Sequence, residues 1–333
     1  MNSKRIFRAF LKSLCRITLA VLVVLLGLWI FLAQPSCRVS DNYAADIPVD
    51  ADRMRGVVQI LSGDFHPRNF REIENLNRTA DYIEQHFGLA GGEVHIQTFE
   101  VSGETYKNVR AFFGPPEGPR TIIGAHYDTD GDTPGADDNA SGVAGLIELA
   151  YAFGQTPPSE TVELVAYTLE EAPFFSTRHM GSYHHAKLMQ EQGIPLRSVI
   201  VLEMIGYFSD EPGSQTYPAR LFHLLYPSTG DFIAVIGKWD QRTYIRGIKA
   251  GMKGGADIEV YSVAALPQIP GVDFSDHRNY WALDYDAVMI TNTAFYRNMA
   301  YHTIYDTWDR LNYEKMAEVV KGVYNAAVAP MQP

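Results

Sequence analysis

Positions 17–33 read ITLAVLVVLLGLWIFLA, seventeen residues without a charge. As a helix rising about 1.5 Å per residue the run reaches roughly 25 Å, just enough to cross a hydrocarbon core. Residues 34–54 are polar, follow no sustained period and read as a linker, so the folded domain is expected over 55–333. Apolar residues then recur at helical spacing over 70–87 (Ile73, Leu76, Ala80, Ile83, Phe87) until Gly88 stops the run. Strand-like segments follow at 94–101 and 108–113. Beyond them, unbroken apolar runs at 121–125, 162–169, 199–202 and 287–290 look like strands covered on both faces. Amphipathic stretches at 142–153 and 180–192 lie between the first three, and a last helix is expected over 313–327. Strands of this kind alternating with helices predict an α/β domain, a largely parallel sheet wrapped by helices, behind one N-terminal transmembrane helix.

Charge adds direction. Residues 1–16 hold five bases and no acid, which by the positive-inside rule keeps this segment cytoplasmic and sends the domain across the membrane, into the periplasm in a Gram-negative cell. The same basic, apolar, polar order also fits a cleaved signal peptide and a secreted product. The apolar run is longer than the usual signal core of about 7–15 residues, and no small-x-small cleavage site closes it, which favours the anchor. Cys15 and Cys37 are the two cysteines of the chain, too few for a disulfide scaffold or a thiolate metal site. Gln34, Pro35 and Ser36 lack the aliphatic residue expected before a lipidated Cys37. Residues 41–333 hold 22 bases against 39 acids, a net charge of −17, and such a surface repels nucleic acid.

Ligand sites in open α/β sheets lie beyond the carboxyl ends of the strands. Each apolar run here leads into metal-binding chemistry. TIIGA is followed by His126 and Asp128, VELVAYTL by Glu170 and Glu171, SVIVL by Glu203, and AVMIT by a loop reaching Tyr301 and His302. The turn after the first of these strands carries Asp137, Asp138 and Asn139. Each has an ordinary reading alone: GADDNASG serves equally as a turn and helix cap, and paired glutamates are usually solvated. Together they point to one site. Imidazole and carboxylate donors without thiolate suit Zn²⁺, with Mn²⁺ or Co²⁺ possible, and suit Ca²⁺ poorly. Five candidate ligands, His126, Asp138, Glu171, Glu203 and His302, exceed what one zinc needs and suggest two ions sharing a carboxylate.

The strings GAHYDTD, GADDNASGVAGLIELA, TLEEAPFF, LEMIGYF, FSDHRNYW and AYHTIYDT resemble the signature of the M28 zinc peptidases, which include bacterial leucyl-type aminopeptidases. The likeness runs through most of residues 65–325. It implies a mostly parallel mixed β-sheet sandwiched by helices, a pair of zinc ions and removal of residues from peptide N-termini. Position by position it implies that His126 and Glu203 hold one ion, Glu171 and His302 the other, and that Asp138 bridges them. Many relatives have Asp where this chain has Glu203. Glu170 matches the general base, which would take a proton from a water activated between the ions and return it to the leaving amine. Tyr301 matches a hydroxyl that donates to the developing oxyanion, and Asp128 would take the second proton of the His126 imidazole. Asp276 and His277 match the family's SDH segment near the pocket, and Asp306 either supports the ligands or caps the turn before Trp308.

Other residues carry weaker expectations. His179, His184 and His185 are expected at the surface or in the core, and the segment from Pro212 to Pro218 as a loop near Glu203. Glutaminyl cyclases resemble the same family but use one zinc and usually lack the first histidine, so the presence of His126 favours hydrolysis. The third reading is a membrane-anchored ectodomain that keeps the fold without turnover. The expected partners are a peptide substrate and, through the N-terminal helix, a membrane.

Overall fold

The computed structural model describes residues 3–33 and 39–330. The first helix, α1 (Ser3–Ala33), contains one stretch, Arg5–Ala33, long and apolar enough to cross a membrane. It starts earlier than the apolar run because the basic segment before it is built from good helix formers with no Gly or Pro to stop it. Cys15 lies exposed on α1 as a free thiol. Cys37 and the first part of the expected linker, 34–38, lie outside the described residues.

The polar segment beyond α1 joins the fold earlier than its composition suggests. Ser40 N donates to Ala250 O at 3.1 Å, Tyr43 N donates to Asn325 Oδ1 at 2.6 Å, and Ala44 and Ile47 are buried. Asp50 then caps α2 (Ala51–Gln59), its carboxylate accepting from Arg53 N, and Met54, Val57 and Val58 enter the core. The boundary expected at residue 55 therefore falls inside a helix, one too short to display its period.

Next come α3 (Ile73–Leu89), the hairpin β1 (Glu93–Val101) and β2 (Glu104–Phe113), then β3 (Arg120–His126), α4 (Gly142–Gln155), β4 (Thr161–Tyr167), α5 (Gly181–Glu191) and β5 (Leu196–Glu203). The chain continues through β6 (Phe232–Lys238), α6 (Arg242–Gly255), β7 (Glu259–Ala265), α7 (His277–Trp281), β8 (Val288–Thr291) and α8 (Tyr313–Val328). The eight strands form one mixed sheet in the order β1-β2-β4-β3-β5-β8-β6-β7. β3, β4, β5 and β8 run parallel, while β1, β2 and β6 enter antiparallel to a neighbour. Residues of α2, α3, α4, α6 and α8 fill the core on one face, and those of α5 and α7 pack on the other. Two covered faces explain why β4 is buried at every position and why its sequence does not alternate.

The carboxyl ends of β3, β4, β5 and β8 share one edge of the sheet. β6 pairs antiparallel with β8, with Ile236 opposite Met289 and Ala234 opposite Thr291, so β6 and its parallel partner β7 end at the opposite edge. β6, α6 and β7 stand outside the elements expected from the sequence, and they build the far end of the sheet.

Candidate metal centre

His126 and Glu203 are the last residues of β3 and β5, and Glu170 and Glu171 follow β4 by a few residues. Adjacent parallel strands thus deliver them to one edge. Asp138 comes from the loop between β3 and α4, and His302 from the segment between β8 and α8. These residues converge. His126 Nε2 lies 3.3 Å from Asp138 Oδ1 and 3.3 Å from Glu203 Oε2. His302 Nε2 lies 3.1 Å from Asp138 Oδ2 and 3.3 Å from Glu171 Oε2. The two oxygens of Asp138 therefore face two different imidazoles, each beside its own glutamate.

The separations suit zinc. Donors bound tetrahedrally at about 2.0–2.1 Å stand about 3.3 Å apart. His126 Nε2, His302 Nε2 and Glu171 Oε1 are buried and make no hydrogen bond among the described residues, a costly arrangement unless something else takes their lone pairs. His126, Asp138 and Glu171 form one group whose ligand atoms lie within 4.8 Å of one another, and Asp130, Glu171 and His302 form another. Sequence reasoning missed Asp130, whose Oδ2 lies 3.5 Å from His302 Nδ1; its signal was a second aspartate in the DTD string.

Electrostatics point the same way. Burial, opposed by His126 and reinforced by Glu171 and Glu203, raises the Glu170 carboxyl well above its ordinary range. Burial and then Asp138 push Glu171 up to about 8. Burial opposes ionisation of Asp138 too, but His126 and His302 override it and hold the group low. Burial works against a charge on His302, which Asp138 and Glu171 nevertheless raise to about 11. Carboxylates packed this closely need positive charge, and a divalent cation supplies it compactly.

The surrounding residues explain how the ligand atoms are aimed. Asp128 accepts from the main-chain N–H of Glu170 at 3.2 Å and of Glu171 at 3.1 Å, tying β3 to the segment after β4. It also faces His126 Nδ1, through its carbonyl oxygen at 3.2 Å and its carboxylate at 3.5 Å. Asp306 accepts from Asp137 N at 3.1 Å and Asp138 N at 3.0 Å. Asp137 accepts from Gly206 N at 2.9 Å and from the amides of Asn292 at 2.8 Å and Asn298 at 2.9 Å. Asn139 Oδ1 accepts from Gly142 N at 3.1 Å, so GADDNASG secures the first turn of α4 as well as carrying Asp138.

Ser275 Oγ donates to Glu203 Oε2 at 2.6 Å. Asp276 is buried and pushed up to about 7, chiefly by burial. His277 turns away from the cluster: its Nε2 lies 2.8 Å from Val272 O and its ring packs on Trp281, so it braces the loop. Tyr301 stacks on His302 with ring centroids 3.7 Å apart. His179 is exposed, His184 stacks on Phe99, and His185 is buried against Glu163 and Tyr280. None of the three approaches the cluster.

Two features escaped sequence reasoning. Arg68 is fully buried, and its guanidinium donates to main-chain carbonyls of Leu61, Tyr127, Pro134 and Gly135. It stitches the loop ahead of Asp138, where Gly135 adopts a positive φ of 58° and a Cβ would meet Asp138 O at 2.3 Å. The second is an apolar cavity, partly open to solvent, that runs from Glu203 and Tyr301 along β6 and β7 past Ile236, Val263 and Val272. Tyr217 and Pro218 also line it, so the proline-bounded loop does reach the site.

A mixed sheet whose strand ends gather imidazoles and carboxylates around a shared aspartate defines an α/β protein with a metal-binding edge. The chain belongs to peptidase family M28, whose model matches residues 108–327. It is 49% identical to the uncharacterized protein YfbL of Escherichia coli (strain K12), over 82% of this chain and 86% of that one. A probable zinc metalloprotease of Pyrenophora tritici-repentis is 33% identical over 30% of this chain and 24% of its own length. Among solved structures, the fold is similar to the Legionella pneumophila LapA aminopeptidase, with TM-score 0.67 and 21% identity over 88% of this chain and 77% of that one. It is also similar to a Bacteroides thetaiotaomicron glutaminyl cyclase, with TM-score 0.63 and 19% identity over 85% of this chain and 99% of that one.

Proposed function

We propose that this protein is a dizinc aminopeptidase, held at a membrane by α1, that removes residues with apolar side chains from peptide N-termini. The observation that carries the reading is the pairing at Asp138, one oxygen toward His126 and Glu203 and the other toward His302 and Glu171. His126 and Glu203 would hold one ion, His302 and Glu171 the other, and Asp138 would serve both. When bound, zinc supplies Lewis acidity that lowers the pKa of a water and polarises a carbonyl.

Glu170 is the proton carrier of this scheme. Its main chain is fixed by Asp128, and the raised proton affinity of its buried carboxyl suits a group that accepts a proton from water and gives it to the departing amine. Tyr301 lines the apolar cavity beside Glu203, where its hydroxyl can donate to the oxygen that gains charge. The cavity accepts the side chain of the residue being removed. A lining this apolar favours aliphatic and aromatic side chains over charged ones.

The test is release of a fluorogenic amine from leucyl, phenylalanyl, glutamyl and glutaminyl conjugates, together with zinc content per chain. Chelator-sensitive hydrolysis of the leucyl and phenylalanyl conjugates by protein holding two zinc ions supports the reading. Cyclisation of the glutaminyl conjugate by protein with one zinc would replace it with a cyclase. N-terminal sequencing of protein from membranes checks the anchor, since a start after residue 33 would show that α1 is removed.

A further inference from the structure

The last turn of α1 packs against the catalytic domain. The Ala33 carbonyl oxygen accepts from Lys249 Nζ at 3.1 Å and from Ser262 Oγ at 2.9 Å. Phe31 stacks on Trp239 with centroids 6.4 Å apart, and the Arg242 guanidinium lies 4.4 Å from the centre of the Phe31 ring. Phe31 and Ala33 are also the final residues of the apolar run. If α1 spans a membrane, as proposed above, whatever touches them sits at headgroup depth.

The residues found there are the kinds that favour that depth. Trp239 is 45% exposed, and tryptophan and arginine partition to membrane interfaces. Arg242, Arg246, Lys249 and Lys253 fall on one face of α6; Lys249 is buried beneath the end of α1, while Arg242, Arg246 and Lys253 stay at least partly exposed. From 238 to 255 there are five bases and one acid, Asp240, within a domain whose net charge is strongly negative. The acidic remainder would be repelled by anionic headgroups, so this corner is the part of the domain that complements them.

The corner also lies far from the metal edge. Trp239 directly follows the end of β6, which runs antiparallel to β8, whereas Glu203 ends β5, parallel to β8. The seven steps of β5 span roughly 23 Å at 3.3 Å each.

We propose that the corner formed by Trp239 and the basic face of α6 seats on an anionic lipid surface. The domain is thereby held in one orientation, with the candidate metal centre directed away from the bilayer. The inference rests on α1 being retained as a membrane span.

The test uses the full chain with Cys15 and Cys37 replaced by Ser and a fluorophore on either Arg246→Cys or Met299→Cys. Met299 is 81% exposed and lies three residues before His302. The protein is reconstituted in vesicles whose lipids carry a quencher on the headgroup, either neutral phosphatidylcholine alone or with about one-third phosphatidylglycerol. The expected result in anionic vesicles is quenching at 246 at least about twofold stronger than at 299. Adding Arg242→Gln and Lys253→Gln, or using neutral lipid, should bring the two sites together. Equal quenching at both sites in anionic vesicles, with the chain still floating with the lipid, overturns the seating and leaves the anchor intact. A difference that ignores both the lipid charge and the double substitution overturns the role of the basic face. A chain that does not float with vesicles removes the anchor, and the seating with it.

Discussion

Asp306 takes the main-chain N–H of Asp138 on its Oδ2 at 3.0 Å, which leaves the Asp138 side chain turned toward both imidazoles. The bond crosses from the segment before α8 to the loop before α4, so the aim of the shared carboxylate depends on a residue that touches neither imidazole. Replacing Asp306 by Asn keeps the volume but turns one acceptor oxygen into a donor. The expected cost is about 10–100-fold in zinc affinity, as is usual for residues that orient ligands. Chelator competition measures it, and unchanged affinity would show that the loop holds Asp138 without help.

Glu170→Gln should separate binding from turnover. Zinc content is expected to stay at the wild-type value, because Glu170 is not among the five candidate ligands, while kcat falls about 10²–10⁴-fold with loss of the proton carrier. Metal analysis beside single-turnover kinetics makes the comparison. A variant that loses zinc and activity together would move Glu170 into the ligand set.

Val263→Trp narrows the cavity without reaching the metal edge. The ratio of kcat/KM for leucyl over alanyl substrates is expected to fall by about tenfold or more, within the range that a change of pocket volume commands. If both substrates slow equally, the cavity is not where the side chain goes.

The buried Glu163 provides a pH test apart from the metal. Burial opposes its charge, but His185 and Arg110 outweigh burial and hold the carboxyl at about 2, and Arg120 adds an ion pair at 3.1 Å. A carboxyl depressed in the folded state stabilises above its unfolded pKa, and that contribution is lost as pH falls through the folded value. The window therefore runs from about pH 4.5 down to 2. Glu163→Gln should cost about 3–5 kcal/mol at neutral pH, since the arginines lose a buried partner. Its urea midpoint should also change less than wild type across that window.

Much of the candidate site was legible because parallel strands lead into imidazole and carboxylate side chains. Each apolar run with a donor after it, at His126, Glu171 and Glu203, marked the same edge of the sheet. β6 is as apolar as those strands, but its carboxyl end faces the opposite edge, and Asp240, the one carboxylate close behind FIAVIGK, lies away from the cluster. β7 alternates in burial along much of its length and α6 buries Tyr244, Ile245, Ile248 and Met252 at helical spacing, so both carry a readable period. Arg68 could not be read at all: nothing local distinguishes an arginine spent on four distant carbonyls from one in water. Ser275 and Asp130 lay inside recognised motifs, yet their roles depend on loops that close only in three dimensions.

The reversal of direction between β8 and β6 divides the labour of the molecule. Strands on one side of that seam bring the reactive groups, and the pair beyond it offers a wall of aliphatic and aromatic carbon with no part in the chemistry. On the proposed reading, substitutions in that wall change which side chain the site accepts and leave the His126, Asp138, Glu171, Glu203 and His302 cluster untouched.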